Sequence, residues 1–188
     1  MSASSFVSDM TFQDRLDALV GTDMRSGGPT VAPDPVNQPM IRHWAAAFED
    51  DNPVYTDVEF AAASRFGGIV APPLMLQTWT MGTPMITGIR ERGGAPQPSN
   101  DRGPLTVFDE AGFIGTLASN SEFQINRYLR IGEVVSAATV IESISPEKRT
   151  RIGRGHFVTW ITTYSVEDGE VVGTQRFRIL KFIPGSAA

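Results

Sequence analysis

Two groups able to exchange a proton lie close together in Phe48-Glu49-Asp50-Asp51-Asn52-Pro53-Val54-Tyr55: the Asp50 carboxylate and the Tyr55 phenol. A carboxylate can accept a proton at neutral pH. A phenol, with a reference pKa of about 10, keeps its own and can only lend it. Asn52-Pro53 makes the stretch a loop, because proline cannot continue a helix and pushes the residue before it out of helical geometry. Asp50 therefore has two readings, a reactive carboxylate or a loop carboxylate that caps nearby backbone amides. Without an imidazole beside it the second is preferred. Glu49 and Asp51 flank it, and converging like charges raise a pKa, but adjacent loop side chains normally diverge. Tyr55 can donate to a ligand oxygen or, more commonly for a buried tyrosine, to a protein neighbour.

The other reactive residue types are sparse. The two histidines, His43 and His156, are distant in sequence, and there is no cysteine. No zinc or iron–sulfur spacing can be read and no disulfide can form. His43 precedes Trp44 on an expected helix and His156 opens an expected strand, so both read as packing or surface residues. A net charge of −5 argues against a nucleic-acid partner, since phosphate binding wants a basic face. No apolar run approaches the roughly 20 residues a membrane helix needs. The N-terminus lacks the basic start and apolar core of a signal peptide, so no membrane association and a cytoplasmic location are expected. Lys148, Arg149, Arg151 and Arg154 form a basic cluster. It could meet phosphates, but is preferred as a solvated hairpin end.

The loop must be held by helices before it and a sheet after it. With 188 residues the chain is read as a single domain, 1–188, helical in its first half and strand-rich in its second, hence α+β. Phe12, Leu16, Leu19 and Val20 at helical spacing predict a helix over residues 8–20, stopping at Gly21. Residues 26–39 are Gly/Pro-rich and read as loop or extended chain. Asn37 or Gln38 caps a second helix with Pro39 in its first turn and Ile41, Trp44, Ala45 and Phe48 on one face. Thr56-Asp57-Val58-Glu59 reads as a capping box with Thr56 at the N-cap, opening a helix that Gly67-Gly68 closes. Ile69 to Pro73 is extended, and Leu74 to Met81 has room for only about two helical turns. Residues 82–104 form a Gly/Pro-rich loop, a kind usually functional or mobile. Beyond it the patterns predict strands at 105–109, 115–129, 134–144, 155–166 and 171–182, with Asp168-Gly169 as a tight hairpin signal. Consecutive hairpins imply an antiparallel meander with helices on one face.

This order, with Asp50, Asn52-Pro53-Val54, Gly67-Gly68-Ile69-Val70-Ala71-Pro72-Pro73 and Tyr128-Leu129-Arg130-Ile131-Gly132-Glu133, resembles the MaoC-like hydratase/dehydratase family. The similarity spans nearly the whole chain. In that family an Asp and a His on such a loop activate the water that adds to a 2-enoyl thioester. Tyr55 stands where the His would be, so the motif Asp50, Asn52, Tyr55 is degenerate and no residue is assigned a catalytic role. Ala71-Pro72-Pro73-Leu74-Met75, Thr78-Trp79-Thr80-Met81 and Asn120-Ser121-Glu122 look like the MaoC-like N-terminal domain of the larger subunits of heteromeric steroid enoyl-CoA hydratases, from actinobacterial cholesterol side-chain degradation.

The resemblance implies a hot-dog fold, an antiparallel sheet around a shortened central helix, that pairs into a double hot dog. It implies a non-catalytic subunit that widens the pocket for a bulky acyl group. The partner would be a smaller MaoC-like chain carrying the Asp/His pair, in a heterodimer or heterotetramer. The larger subunits often continue into an OB-like domain with zinc ligands, which the chain ending at Ala188 is expected to lack as a truncated or naturally short version. The substrate would be a coenzyme A (CoA) thioester, with no separate cofactor and no metal. Val70, Ala71, Pro72, Leu74, Met75, Trp79 and Met81 are the candidate substrate-binding residues. An apolar run is as easily core as ligand wall; methionines that adapt to irregular shapes and a helix too short to plug the interior tilt the reading toward a pocket. The competing readings are a self-sufficient hydratase using Asp50 and Tyr55, and a non-enzymatic module that holds an acyl or steroid thioester.

Overall fold

The computed structural model describes residues 10–82 and 103–185. Four short α-helices, α1 (Phe12–Leu19), α2 (Gln38–Ala47), α3 (Val58–Ala63) and α4 (Thr106–Glu110), accompany strands β1 (Thr30–Val31), β2 (Gly115–Ile125), β3 (Ser136–Ile144), β4 (Lys148–Thr150), β5 (Gly153–Ser165) and β6 (Val171–Pro184). Two 3-10 segments, Pro53–Tyr55 and Pro73–Thr80, carry the loop and the shortened helix anticipated from sequence. Most of the expected 82–104 loop lies outside the described residues, as do residues 8 and 9 of the first expected helix. Among the described residues no helix is long and apolar enough to cross a membrane.

Local chemistry sets the helix ends. Thr11 and Asp14 cap α1 reciprocally: the Asp14 amide donates to Thr11 Oγ1 at 3.2 Å and the Thr11 amide to Asp14 Oδ2 at 3.0 Å. Gly21, with φ +84°, follows the helix. Asn37 caps α2 by accepting from the Met40 amide at 3.0 Å, with proline in the first turn. The α3 cap differs from expectation. The Thr56 amide closes the preceding 3-10 turn onto Pro53 O, so Asp57 takes the N-cap and accepts from the Phe60 amide at 2.9 Å. Residues 105–109 differ more. Both the amide and hydroxyl of Thr106 turn back onto Gly103 O, and the adjacent Val107 and Phe108 are both buried. A strand would send those two side chains to opposite faces; the helix α4 buries both.

The sheet is antiparallel in the order β1-β3-β5-β6-β2, with β4 paired to β5. It is not a simple meander. The β5–β6 hairpin turns at Gly169, φ +85°, as Asp-Gly predicts, but β2 pairs with β6 instead of β3. The residues joining β2 to β3 spend their backbone groups elsewhere: Leu129 O accepts from the Ala71 amide at 2.9 Å, and Gly132 and Glu133 exchange bonds with Val36 at 2.8 and 2.9 Å. Arg127 braces this crossing by reaching Glu133 and Glu170. Among the described residues β2 is thus left at an edge, with Ile114 exposed just before it and Leu117 exposed on it.

One face of the sheet carries the interior. Ala137, Thr139 and Ile141 on β3 stand opposite Tyr164, Thr162 and Trp160 on β5, which stand opposite Gly173, Gln175 and Phe177 on β6. At one end Ala137 and Tyr164 join a core made with Ile41, Val54, Tyr55, Met75, Leu76 and Trp79. At the other end Ile141, Val158 and Ile179 pack with Leu16, Phe108 and Phe113 of the α1–α4 region. Between the two cores runs an uncharged polar rung, Thr139, Thr162 and Gln175.

Candidate functional site

The Asp50 loop begins in a helix terminator. At the end of α2 the Glu49 amide bonds Ala46 O at 3.3 Å and the Asp50 amide bonds Ala45 O at 2.9 Å, with Glu49 in the left-handed region at φ 53°. This is the Schellman arrangement, whose left-handed position normally takes glycine. Glu49→Gly is expected to stabilise the chain by about 0.5–1 kcal/mol, the relieved left-handed strain exceeding the added freedom of the unfolded chain. A urea melt with a midpoint at or below that of the parent would contradict it.

Two side chains then hold the loop. Asp50 Oδ1 accepts from the Asn52 amide at 3.2 Å and Asn52 Oδ1 from the Val54 amide at 3.3 Å. These turns, with Pro53 at the first helical position, deliver Val54 and Tyr55 into the core, where Tyr55 is only 4% exposed. Burial first, then the neighbouring Tyr128 phenol and the Asp50 carboxylate, push the Tyr55 pKa above its ordinary value; a hydrogen bond with Asn52 acts the other way. Tyr55 therefore stays protonated well beyond neutral pH. Asp50 is a half-buried turn former.

Neither histidine completes the loop. His43 is exposed on α2. His156 is boxed by Phe12, Phe108 and Phe113 with ring centroids 5.0–5.8 Å away, and its Nδ1 lies 2.9 Å from Ser145 O. That box belongs to the end of the inner face opposite Tyr55. Among the described residues no cluster of three metal-ligating side chains occurs.

The three stretches most characteristic in sequence meet around Tyr55. The Val70 amide bonds Val54 O at 3.4 Å, Val70 bridges Arg130, and Phe66 stacks on Tyr128 at 5.0 Å under the Arg65 guanidinium. A cleft of about 550 Å³ opens beside them, lined in part by Phe66, Gly67, Gly68, Ile69, Arg130 and Ile131. Of the sequence-predicted pocket residues, Val70, Ala71, Pro72, Met75 and Trp79 are buried, whereas Leu74 and Met81 are exposed. The apolar run thus splits into an inward and an outward set. All four members of the basic cluster at 148–154 are exposed, with Arg154 paired to Glu147.

The sequence reading missed a polar network that runs from buried Tyr164 and Gln175 out to half-buried Gln77 and exposed Ser121. Tyr164 donates to Gln175 Oε1 at 2.9 Å, and Gln175 Nε2 donates to Gln77 Oε1 at 2.9 Å and Ser121 Oγ at 3.0 Å. Burial raises the Tyr164 pKa to about 12. Its signal was present: Gln175 occupies an inward strand position, in step with Phe177 and Ile179, where alternation calls for an apolar side chain.

A family model described as the FAS1-like dehydratase domain region matches residues 19–175. A probable enoyl-CoA hydratase alpha subunit from Thermomonospora curvata is 41% identical over 177 residues, covering 92% of this chain and 52% of that protein. The 3-oxo-4,17-pregnadiene-20-carboxyl-CoA hydratase alpha subunit of Mycobacterium tuberculosis is 41% identical over 160 residues, 85% of this chain and 49% of that one. The chain spans about half the length of these curated relatives. In the crystal structure of the ChsH1-ChsH2 complex from Mycobacterium tuberculosis, one chain superposes with a TM-score of 0.76 at 37% identity, covering 96% of this chain and 94% of that chain. A MaoC-like dehydratase from Rhodospirillum rubrum, 20% identical over 90% of this chain and 97% of its own, shares the fold with a TM-score of 0.57. With its antiparallel sheet and short inner helix, the chain is a hot-dog protein of the MaoC-like kind and belongs to the FAS1-like dehydratase-region family.

Proposed function

We propose that this chain is the non-catalytic, pocket-forming half of a heteromeric enoyl-CoA hydratase acting on a bulky, steroid side-chain 2-enoyl-CoA. The observation that carries the reading is the state of the loop. Asp50 is engaged by the Asn52 amide, Tyr55 is held protonated, and neither histidine bonds to Asp50. Hydration needs a group that takes a proton from water and returns one to the α-carbon. A carboxylate beside an imidazole does this; a turn-forming carboxylate beside a neutral phenol does not. A smaller MaoC-like partner supplies the Asp/His pair.

Two features support a partner and a large acyl group. β2 is an edge strand among the described residues, with Leu117 exposed on it and Ile114 exposed just before it, and an open strand edge invites pairing with another sheet. The inner helix Pro73–Thr80 spans eight residues, so it covers one core only. The alpha-subunit relatives and the complex containing the similar chain support a heteromeric hydratase. Val70, Ala71, Pro72, Met75 and Trp79 form the inner pocket wall, and Leu74 and Met81 face outward toward the partner. CoA enters as part of the substrate, with no other cofactor.

The loop can be tested in the assembled enzyme. Asp50→Asn, which keeps an oxygen to accept the Asn52 amide, is expected to leave kcat within about threefold, since it removes no proton carrier. A hundredfold loss of kcat in the folded assembly would place the base on this chain and reject the proposal.

A further inference from the structure

We infer that the indole N–H of Trp79 is a ligand-recognition group that donates to the oxygen of a ring ketone on an otherwise apolar, fused-ring acyl group. Trp79 is 6% exposed, and its Nε1 is the one buried side-chain polar atom among the described residues with no hydrogen-bond partner. Interiors pair nearly all such atoms, and an unpaired buried donor in a native protein calls for an explanation. An indole can only donate, so the group that completes it is an acceptor.

The surroundings say which acceptor. Trp79 shares its core with Val70, Ala71, Met75 and Leu76 and lies on the same 3-10 helix as Gln77, the residue that receives the Gln175 amide. The polar side chains of this region, buried Gln175, Tyr164 and Thr162 and half-buried Gln77, are all uncharged and already bonded to one another or to strand neighbours. A carboxylate or phosphate placed here would be buried with no cation among these described residues to compensate it, at a prohibitive desolvation cost. A neutral carbonyl oxygen satisfies the donor and costs little to bury on an apolar body. Trp79 also stands where the inner helix gives out: Thr80 is half-buried and Met81 exposed.

This inference rests on the pocket-forming reading above, under which the thioester end must lie against the Asp and His of the partner. The oxygen that meets Trp79 is therefore a second one, remote from the reacting bond. The pocket would so discriminate an oxidised ring system from its hydrocarbon counterpart.

The test uses the assembled enzyme and a pair of fused-ring enoyl-CoA thioesters, one with a ring ketone and one without that oxygen. Trp79→Phe should lower kcat/KM for the ketone about five- to tenfold more than for the oxygen-free thioester, the difference being the loss of one neutral hydrogen bond. Equal loss on both substrates, or no loss on either, overturns the inference. With only this chain labelled with nitrogen-15, its three tryptophans give separate indole N–H signals, and Trp79→Phe assigns one of them. That signal should move downfield with the ketone and not with the oxygen-free analogue; the same position with both rejects the role for Trp79 even if the variant folds poorly. An unmodified assembly that hydrates neither thioester rejects the pocket-forming reading instead, and the indole signal still decides Trp79.

Discussion

Purified alone, this chain is expected to hydrate a steroid enoyl-CoA at least about a thousandfold more slowly than when mixed with a small hot-dog chain bearing an intact Asp/His loop. The size follows from what is missing. Removing a general base costs roughly a hundred- to ten-thousandfold, and here the donor side fails too, because Tyr55 is buried and held above the ordinary tyrosine range. Of the two imidazoles, His43 is exposed on α2, and His156 has one nitrogen bonded to Ser145 O and its ring enclosed by three phenylalanines. No rearrangement of rotamers alone carries it across the polar rung to Asp50. Loss of the conjugated thioester absorbance, followed for the single chain and for the mixture, measures the ratio. A ratio under about ten would mean this chain holds a complete proton path.

The loop's chemistry could be read largely from the residue types. Asn37, Pro39 and the apolar face of α2 follow capping and periodicity, and the Asp-Gly turn at 168–169 follows from backbone conformation. What escaped was decided by competition or distance. Thr56 has the hydroxyl for an N-cap, but its amide is already committed to Pro53 O, and nothing in Thr-Asp-Val-Glu reveals that. Val107 and Phe108 suit a strand by propensity, yet the segment has the core on one side only, and there the helix α4 buries both side chains. The placement of β2 beside β6 is a long-range choice. It depends on Leu129, Gly132 and Glu133 bonding to Ala71 and Val36, contacts that no local window contains.

The split of the inner face explains why so short a central helix is tolerated. A single long helix would lie over both cores and bury the polar rung beneath it. Here Pro73–Thr80 serves the Tyr55 end, while α1 and α4 serve the His156 end. Thr139, Thr162 and Gln175 between them are satisfied through their own side chains and Gln77, Ser121 and Tyr164. The interior thus keeps a neutral polar band where a hot-dog sheet would otherwise be sealed by hydrocarbon, and among the described residues the Trp79 N–H is the one buried side-chain donor without a partner.

That arrangement makes Phe108 the most costly side chain to truncate at the far end. It is fully buried and meets Phe12, Phe113 and His156 with centroids 5.8–6.3 Å apart. Phe108→Ala is expected to destabilise the chain by about 4 kcal/mol through lost burial and an unfilled cavity, a large share of the 5–15 kcal/mol typical of a domain. Phe108→Leu, which nearly fills the space, should cost no more than about 1.5 kcal/mol. The loss should be local in consequence, because the Asp50 loop packs into the other core. At a temperature where Phe108→Ala remains folded, hydration by the assembled enzyme should stay within about twofold of the parent. Urea midpoints for the two variants check the stability, and the assay checks the separation. A cost below about 1 kcal/mol for the alanine variant would show that α4 does not plug this end of the sheet. A large loss of activity in folded protein would show that the two cores are not independent.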